Sequence, residues 1–222
     1  MENIFEKNLG ALTRQEMDIL SVKRIFVAGC GGLGGNITEN LVRMGASFIR
    51  VCDGDSFELS NMNRQLYCTY GTLGKNKAYC ARERALSINP DIRFEAVEQY
   101  ISEENVSDLI SSCDIVVDAL DSINSRILLS RKCSELGIPY VFGAIHSWCV
   151  QCGVSNPGDR LVEKLYDGID EPGESPSLSF AASMCASMES ALTAEVLLGK
   201  NYDSGIIHIF DLSTFQYQTI RL

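Results

Sequence analysis

Short apolar stretches alternate with longer amphipathic stretches along the first two thirds of the chain. The apolar stretches are rich in β-branched residues, whereas the longer ones repeat apolar residues at helical spacing. Their order, βαβαβαβαβ, predicts an α/β fold with a doubly wound, Rossmann-like, mostly parallel sheet and helices on both faces. The predicted strands are about 24–29, 48–53, 93–99, 114–120 and 140–145, and the predicted helices are about 33–44, 74–88, 102–111 and 123–136.

The pattern changes after the fifth strand. A strand at 149–155 follows with no intervening helix, which favours an antiparallel pairing. Residues 156–179 are rich in Pro, Gly, Ser and acidic residues, and they predict a long crossover loop with one helical turn near 161–166. A helix over 180–198 then precedes a hairpin at about 206–221, so antiparallel C-terminal strands extend the sheet.

The N-terminal region, residues 1–22, predicts an arm and a short helix at about 14–20. Thr13 and Glu16 have the spacing of a capping box at the start of this helix. With 222 residues, the chain is predicted to form a single domain over 1–222.

Composition excludes several classes of protein. The net charge of −10 argues against sequence-independent binding of nucleic acid. No apolar run is long enough to span a bilayer, and acidic residues near the N-terminus do not fit a secretory signal. The nine scattered cysteines are typical of free thiols in a reducing compartment, so we expect a cytoplasmic protein.

The connection between the first strand and the next helix is a glycine-rich loop, Gly-Cys-Gly-Gly-Leu-Gly at 29–34. Glycines at such a turn let a phosphate approach the backbone N–H groups of the helix N-terminus. Asp53 ends the second strand about 20 residues later, where a Rossmann fold places the carboxylate that binds a ribose hydroxyl. The combination predicts a nucleotide site.

A long polar segment, 54–73, follows this aspartate and contains Ser-Asn-Met-Asn-Arg-Gln at 60–65. Connections this long are often functional, and we expect this one to fold back over the nucleotide. Arg64 has the planar fork that grips phosphate oxygens. Lys77 is in the first turn of the next helix, where a cation is disfavoured unless an anion binds there; Lys75 fits an exposed surface lysine.

The fourth strand leads into Asp118-Ala-Leu-Asp121. Carboxylates at the carboxyl edge of a parallel sheet lie beside the ligand crevice. Asp121 is a candidate ligand of Mg²⁺, which binds proteins through one or two carboxylates plus substrate phosphates. Asp118 is inside the strand and is interpreted as a hydrogen-bonded structural group. Arg126 is expected to orient the Asp121 carboxylate or the substrate.

Taken together, these motifs resemble the MoeB/ThiF/HesA adenylyltransferases, relatives of the ubiquitin-activating enzymes. The resemblance covers about residues 5–222, and the Ser-Asn-x-Asn-Arg-Gln element is its most specific part. It implies ATP and Mg²⁺ as cofactors, with Arg64, Lys77 and Asp121 as catalytic residues and Asp121 as the metal ligand. The implied nucleotide contacts are Gly31, Gly32, Gly34, Asp53, Asp55, Ser60, Asn61, Asn63, Arg64, Gln65, Lys77, Asp121 and Ser122.

The resemblance also implies a reaction and a partner. Members of this family join AMP to the C-terminal carboxylate of a small ubiquitin-like protein and release pyrophosphate. The expected partner is therefore a sulfur-carrier protein ending in Gly-Gly, in a thiamin, molybdopterin or other pathway. A homodimer is expected, with neither nucleic acid nor membrane as a partner.

Four features depart from the family pattern. Lys7 is at the place of an arginine that reaches the partner subunit's nucleotide. The single Cys-x-x-Cys pair, Cys149 and Cys152, is in a strand, so no zinc site is expected. Residues 174–179 contain no transfer cysteine, and Cys185 is predicted to pack inside a helix. The chain also lacks the C-terminal extensions of larger relatives, so a stand-alone adenylation module is expected.

Other functions remain open at this stage. One alternative is an enzyme that adenylates another peptide or acyl substrate. Another is a non-catalytic relative that binds partners. An NAD-dependent dehydrogenase would explain the glycines and Asp53, but it gives no role to Arg64, Lys77 or Asp121.

Overall fold

The computed structural model describes residues 4–170 and 176–222 of the chain. Eight strands form one sheet in the order β3-β2-β1-β4-β5-β6-β7-β8. Neighbours from β3 to β5 pair in parallel, and those from β5 to β8 pair antiparallel. The predicted fold class is therefore confirmed.

The elements follow the predicted order closely. The strands are β1 (Arg24–Ala28), β2 (Phe48–Cys52), β3 (Arg93–Val97), β4 (Ile115–Asp118), β5 (Tyr140–His146), β6 (Cys149–Ser155), β7 (Ile206–Asp211) and β8 (Gln216–Arg221). The helices are α1 (Arg14–Val22), α2 (Gly32–Met44), α3 (Lys77–Ile88), α4 (Val106–Ile110), α5 (Ile123–Leu136), α6 (Leu161–Leu165) and α7 (Ser179–Leu197).

Two predicted helix starts are wrong. The helix predicted from Ser102 begins at Val106, because the side chain of Asn105 accepts a hydrogen bond from the Ser102 N–H at 2.8 Å and closes a turn first. The helix predicted from residue 74 begins at Lys77, because the Asn76 side chain caps it by accepting from the Tyr79 N–H at 3.1 Å. In both cases an asparagine side chain accepts from a nearby backbone N–H, and the helix begins at the residue after that asparagine.

Both faces of the sheet are covered. In β1, Ile25 and Val27 belong to the core shared with α2, α3 and α7, whereas Phe26 and Ala28 belong to the core shared with α4, α5 and α6. Strands buried on both faces read as continuous apolar runs, which is how β1 was recognised in the sequence.

The turn from β1 into α2 depends on two glycines. Gly29 has φ +92°, and a Cβ on Gly34 would lie 2.0 Å from the carbonyl oxygen of Gly29. Since no side chain fits there, the first turn of α2 packs directly on the turn that follows β1. This close packing aims the N–H groups of the α2 N-terminus at the carboxyl edge of the sheet, the edge where β1, β2 and β4 end.

The crossover region contains the predicted short helix, α6, at 161–165. Part of the loop expected over 156–179, together with part of the segment without a transfer cysteine, lies outside the described residues, at 171–175. Within 4–170 and 176–222, no helix is both long and apolar enough to cross a membrane.

Candidate active site

The carboxyl edge of the sheet brings the glycine loop and Asp53 into direct contact. One carboxylate oxygen of Asp53 accepts a hydrogen bond from the Cys30 N–H at 2.6 Å, and the other accepts from the Asp55 N–H at 2.8 Å. Burial raises the pKa of Asp53, and these two hydrogen bonds oppose that rise. Asp53 thus fixes the glycine loop, and its contact with a ribose stays a prediction.

The polar segment after Asp53 folds back over the glycine loop. A Cβ on Gly32 would lie 3.7 Å from Cγ of Arg64, and one on Gly31 would lie 3.4 Å from Nε2 of Gln65. Arg64 is held by hydrogen bonds from Nη1 to the Ser60 carbonyl at 3.1 Å and to the Asn63 side-chain oxygen at 2.8 Å. The aliphatic stem of Arg64 therefore lies beside Gly32 at the N-terminus of α2, where a phosphate would bind, while its guanidinium is held by Ser60 and Asn63.

The remaining members of this segment have structural contacts. The side-chain oxygen of Asn61 accepts from the Glu58 N–H at 3.1 Å, and Asn63 donates to the Ser177 carbonyl at 3.1 Å. The second contact ties the segment to the end of the crossover loop, just before α7. Gln65 is buried, and its Oε1 has no hydrogen-bond partner among the described residues.

Lys77 is not a surface lysine. It is only 7% exposed, and its ammonium contacts Oδ2 of Asp55 at 2.9 Å, whereas Lys75 is exposed. The other oxygen of Asp55 accepts from the hydroxyl of Tyr100 at 2.7 Å. Burial raises the pKa of Asp55, but the hydrogen bonds from Tyr100 and Lys77 outweigh it, so the pKa is lowered.

The two aspartates after β4 differ sharply in environment. Asp118 is fully buried and accepts hydrogen bonds from Arg126 at 2.9 Å, from the Tyr140 hydroxyl at 2.6 Å and from the Leu120 N–H at 2.9 Å. Its interpretation as a hydrogen-bonded structural group is confirmed. Asp121 is exposed at the start of α5, where Ser122 caps the helix by accepting from the Ser125 N–H at 3.3 Å.

Arg126 pairs with Asp118 rather than with Asp121, which corrects the sequence-based expectation. It is 5% exposed, and its guanidinium also donates to the carbonyls of Gly143, at 2.7 Å, and Leu120. Arg126 thus fixes the backbone of the turn that carries Asp121, and it lies too deep to bind substrate directly.

A buried glutamate in α7 completes this cluster and was missed in the sequence. Glu189 is fully buried, and its carboxyl group packs on Gly143. A Cβ added to Gly143 would lie 2.1 Å from Cδ of Glu189. Its Oε1 has no hydrogen-bond partner among the described residues. The groups around it are Asp118 on β4, Arg126 on α5, Cys152 on β6 and Cys185 on α7. Burial raises the pKa of Glu189 well above its ordinary value, and the nearby charge of Asp118 adds to the rise.

Glu189→Gln is expected to stabilise the fold at neutral pH. The unfolded chain loses the proton of Glu189 near pH 4.5, while the folded chain keeps it, so rising pH favours unfolding of the native sequence. The gain should be roughly 1.4 kcal/mol for every unit by which the folded pKa exceeds the unfolded one. Urea unfolding of both proteins from pH 4 to pH 8 measures it. The difference should vanish near pH 4, and an equal difference at all pH values would contradict the assignment.

Cysteines do not form a metal site in the described parts of the chain. All nine are free, and no group of three His, Cys, Asp or Glu side chains there has the geometry to hold a metal ion. Cys185 packs inside α7, as predicted, and is fully buried. A lone carboxylate such as Asp121 fits Mg²⁺ that arrives with a nucleotide, since that ion takes most of its ligands from phosphates and water.

Comparison with known proteins gives a family match and several relatives. The ThiF family profile matches residues 5–222. A sulfur carrier protein adenylyltransferase of Thermus thermophilus is 32% identical over 212 residues, which are 89% of this chain and 78% of that protein. A SAMP-activating enzyme E1 of Haloferax volcanii is 35% identical over 153 residues, covering 69% of this chain and 57% of that protein. The chain thus spans little more than half the length of some relatives.

Solved structures share the architecture. Escherichia coli MccB, crystallised with MccA, has a TM-score of 0.86 and 18% identity, covering 100% of this chain and 71% of that one. TcdA (CsdL) has a TM-score of 0.74 and 20% identity, covering 88% of this chain and 94% of that one. At these identities the likeness shows the fold alone.

Proposed function

Because this chain belongs to the ThiF family, as its motifs predict, we propose that it is an ATP-dependent adenylyltransferase. Its substrate is the C-terminal carboxylate of a small ubiquitin-like sulfur-carrier protein that ends in Gly-Gly. The observation that carries the proposal is the position of Arg64, whose side chain lies over Gly32 at the N-terminus of α2. A dehydrogenase gives no role to an arginine packed beside the glycine loop. The relatives named as sulfur carrier and molybdopterin-synthase adenylyltransferases support the reaction class.

The proposed nucleotide site divides into three parts. The N–H groups of the glycine loop, Arg64 and Lys77 bind the phosphates, because all of them present positive charge or donors. Asp53 binds the ribose. Asp121 holds Mg²⁺, which when bound neutralises part of the phosphate charge.

The reaction needs positioning and charge neutralisation rather than a base. A C-terminal carboxylate is ionised at neutral pH, so one of its oxygens attacks the α-phosphorus without losing a proton. A bond forms between that oxygen and phosphorus, and the bond from phosphorus to the bridging oxygen breaks, with the electron pair leaving on pyrophosphate. Negative charge grows on the phosphoryl oxygens, where Arg64 and Lys77 stabilise it.

Carrier-dependent ATP–pyrophosphate exchange tests the proposal. The purified protein is mixed with Mg·ATP, labelled pyrophosphate and carriers ending in Gly-Gly, and the same carriers lacking the terminal glycine serve as controls. Exchange only with intact carriers supports the proposal. Exchange with an unrelated peptide would favour the alternative acyl substrate, and NAD binding without ATP binding would refute adenylation.

The N-terminal arm gives a reason to propose a homodimer. Asn8 donates to the carbonyls of Arg43 and Met44, so the arm packs on the C-terminal end of α2. The nucleotide lies at the other end of this 13-residue helix, about 20 Å away. The exposed Lys7 therefore acts in the site of a second copy. The nine free thiols fit the reducing cytoplasm as the place of this reaction.

Lys7→Arg is expected to raise the exchange rate a few-fold. A guanidinium binds phosphate oxygens with two parallel hydrogen bonds, whereas an ammonium is a point charge. The measurement is the exchange rate at saturating carrier, with the exposed Lys75 changed to arginine as the matched control. An unchanged rate would make Lys7 a spectator.

A further inference from the structure

Tyr100 is largely exposed, yet its ring and its hydroxyl both contact residues of the proposed site. Its side chain is 70% exposed, yet its ring lies against the backbone of Gly54, where a Cβ would be 2.8 Å from a ring carbon. Gly54 does not have a positive φ. Position 54 is thus a glycine for a steric reason, because any side chain there would overlap the Tyr100 ring.

The Tyr100 hydroxyl restrains a side chain rather than the backbone. The backbone from Asp53 to Asp55 is already held, because Asn76 donates to the carbonyls of Asp53 and Asp55 at 2.9 and 3.1 Å, and the Lys77 N–H donates to Asp55 at 2.9 Å. The Asp55 side chain is 49% exposed and would otherwise rotate in solvent. The hydroxyl fixes one carboxylate oxygen at 2.7 Å, which leaves the other directed at the Lys77 ammonium at 2.9 Å.

We propose that Tyr100 is a positioning residue, which acts through Asp55 to hold the Lys77 ammonium where nucleotide phosphates meet it. The inference rests on the proposed function, since it gives Lys77 a phosphate to bind. Lys77 has three N–H donors, so one contact to Asp55 leaves two for phosphate oxygens. A lysine on a flexible four-carbon stem loses entropy when it binds, and a carboxylate that orders it beforehand reduces this cost.

Measurement of Mg·ATP affinity by calorimetry tests the inference without any carrier. Tyr100→Phe keeps the ring on Gly54 and removes only the hydroxyl, and we expect it to weaken binding about three- to tenfold. In a Lys77→Met background the same change should alter the affinity less than twofold, because the lysine through which Tyr100 acts is gone. Tyr217→Phe, at an exposed tyrosine on β8, is the matched control and should have no effect.

The competing role is a stacking platform for the nucleotide base. In that case Tyr100→Phe would bind as tightly as the native protein, and only Tyr100→Leu would weaken binding, which would overturn the inference. Equal losses from Tyr100→Phe with and without Lys77 would also overturn it, because the hydroxyl would then act independently of that lysine.

A spectroscopic readout separates failure of this inference from failure of the proposed function. The ammonium signal of Lys77 in ¹⁵N-edited NMR is assigned by its loss in Lys77→Met. In Tyr100→Phe, without nucleotide, this signal should shift and exchange faster with water, whereas an unchanged signal would refute the role of Tyr100. If the native protein bound no Mg·ATP, the proposed function would fall, and the Lys77 signal would still decide whether Tyr100 positions that lysine.

Discussion

Asp121→Ala is expected to lower carrier-dependent ATP–pyrophosphate exchange about 10²- to 10³-fold, the usual cost of removing one electrostatic group from a transition-state site. The carboxylate is the proposed Mg²⁺ ligand at the carboxyl edge of the sheet. Because Asp121 is exposed and its charge only adds to the cost of ionising the buried Asp118, the fold should remain intact. Exchange kinetics over a range of Mg²⁺ concentrations, with circular dichroism to check the fold, measure the effect.

The matched control for this variant is Asp91→Ala. Asp91 is equally exposed, but it precedes β3 and is therefore at the amino edge of the sheet, opposite the site. Its removal changes the net charge by the same amount and should leave exchange unaltered. Near-native exchange by Asp121→Ala would show that the metal assignment is wrong.

Arg126→Ala is expected to lower the free energy of unfolding by about 3–5 kcal/mol, the range for removal of one partner of a buried ion pair. The guanidinium contacts Asp118 at 2.9 Å inside the protein and lies close to Glu189. Without it, two buried acids face each other with no cation, and the carbonyls of Leu120 and Gly143 each lose a donor. Urea denaturation at pH 7 measures the loss.

Two further variants make this prediction specific. Arg131→Ala removes an exposed arginine from the same helix and should cost less than about 0.5 kcal/mol. Adding Glu189→Gln to Arg126→Ala should recover part of the loss, because the folded chain then no longer has to bind a proton at Glu189 at pH 7. A loss below about 1 kcal/mol in Arg126→Ala, or no recovery in the double variant, would mean that the cluster is not held by the guanidinium.

Local sequence determined most of the fold. Strands β1 and β4 are buried on both faces and are therefore nearly continuous apolar runs, and three helices, α1, α2 and α5, are bounded by caps that are visible as Thr13, Gly45 and Gly137. The helix predicted from Ser102 failed because the Asn105 side chain accepts from the Ser102 N–H and closes a separate turn, so the helix begins only at Val106.

The glycine loop, the 60–65 segment, Lys77 and Asp121 stood out as candidates because phosphate chemistry demands particular residue types at particular spacings, and their roles stay predictions. What the sequence did not determine is which acids are paired with which bases. Asp118 was recognised as a structural group from its place inside the strand, but Arg126 was assigned to Asp121 or the substrate, whereas it pairs with the fully buried Asp118.

Only the tertiary structure showed the contacts of Tyr100 and Glu189. Tyr100 reaches Asp55 from the end of a different strand, and Glu189 meets Gly143 and Arg126 from a distant helix. Periodicity along the chain reports which side of an element is buried, but it carries no information about which elements meet. Contacts between residues far apart in sequence depend on the order of strands in the sheet, and that order decided how Lys77 and the buried cluster are held.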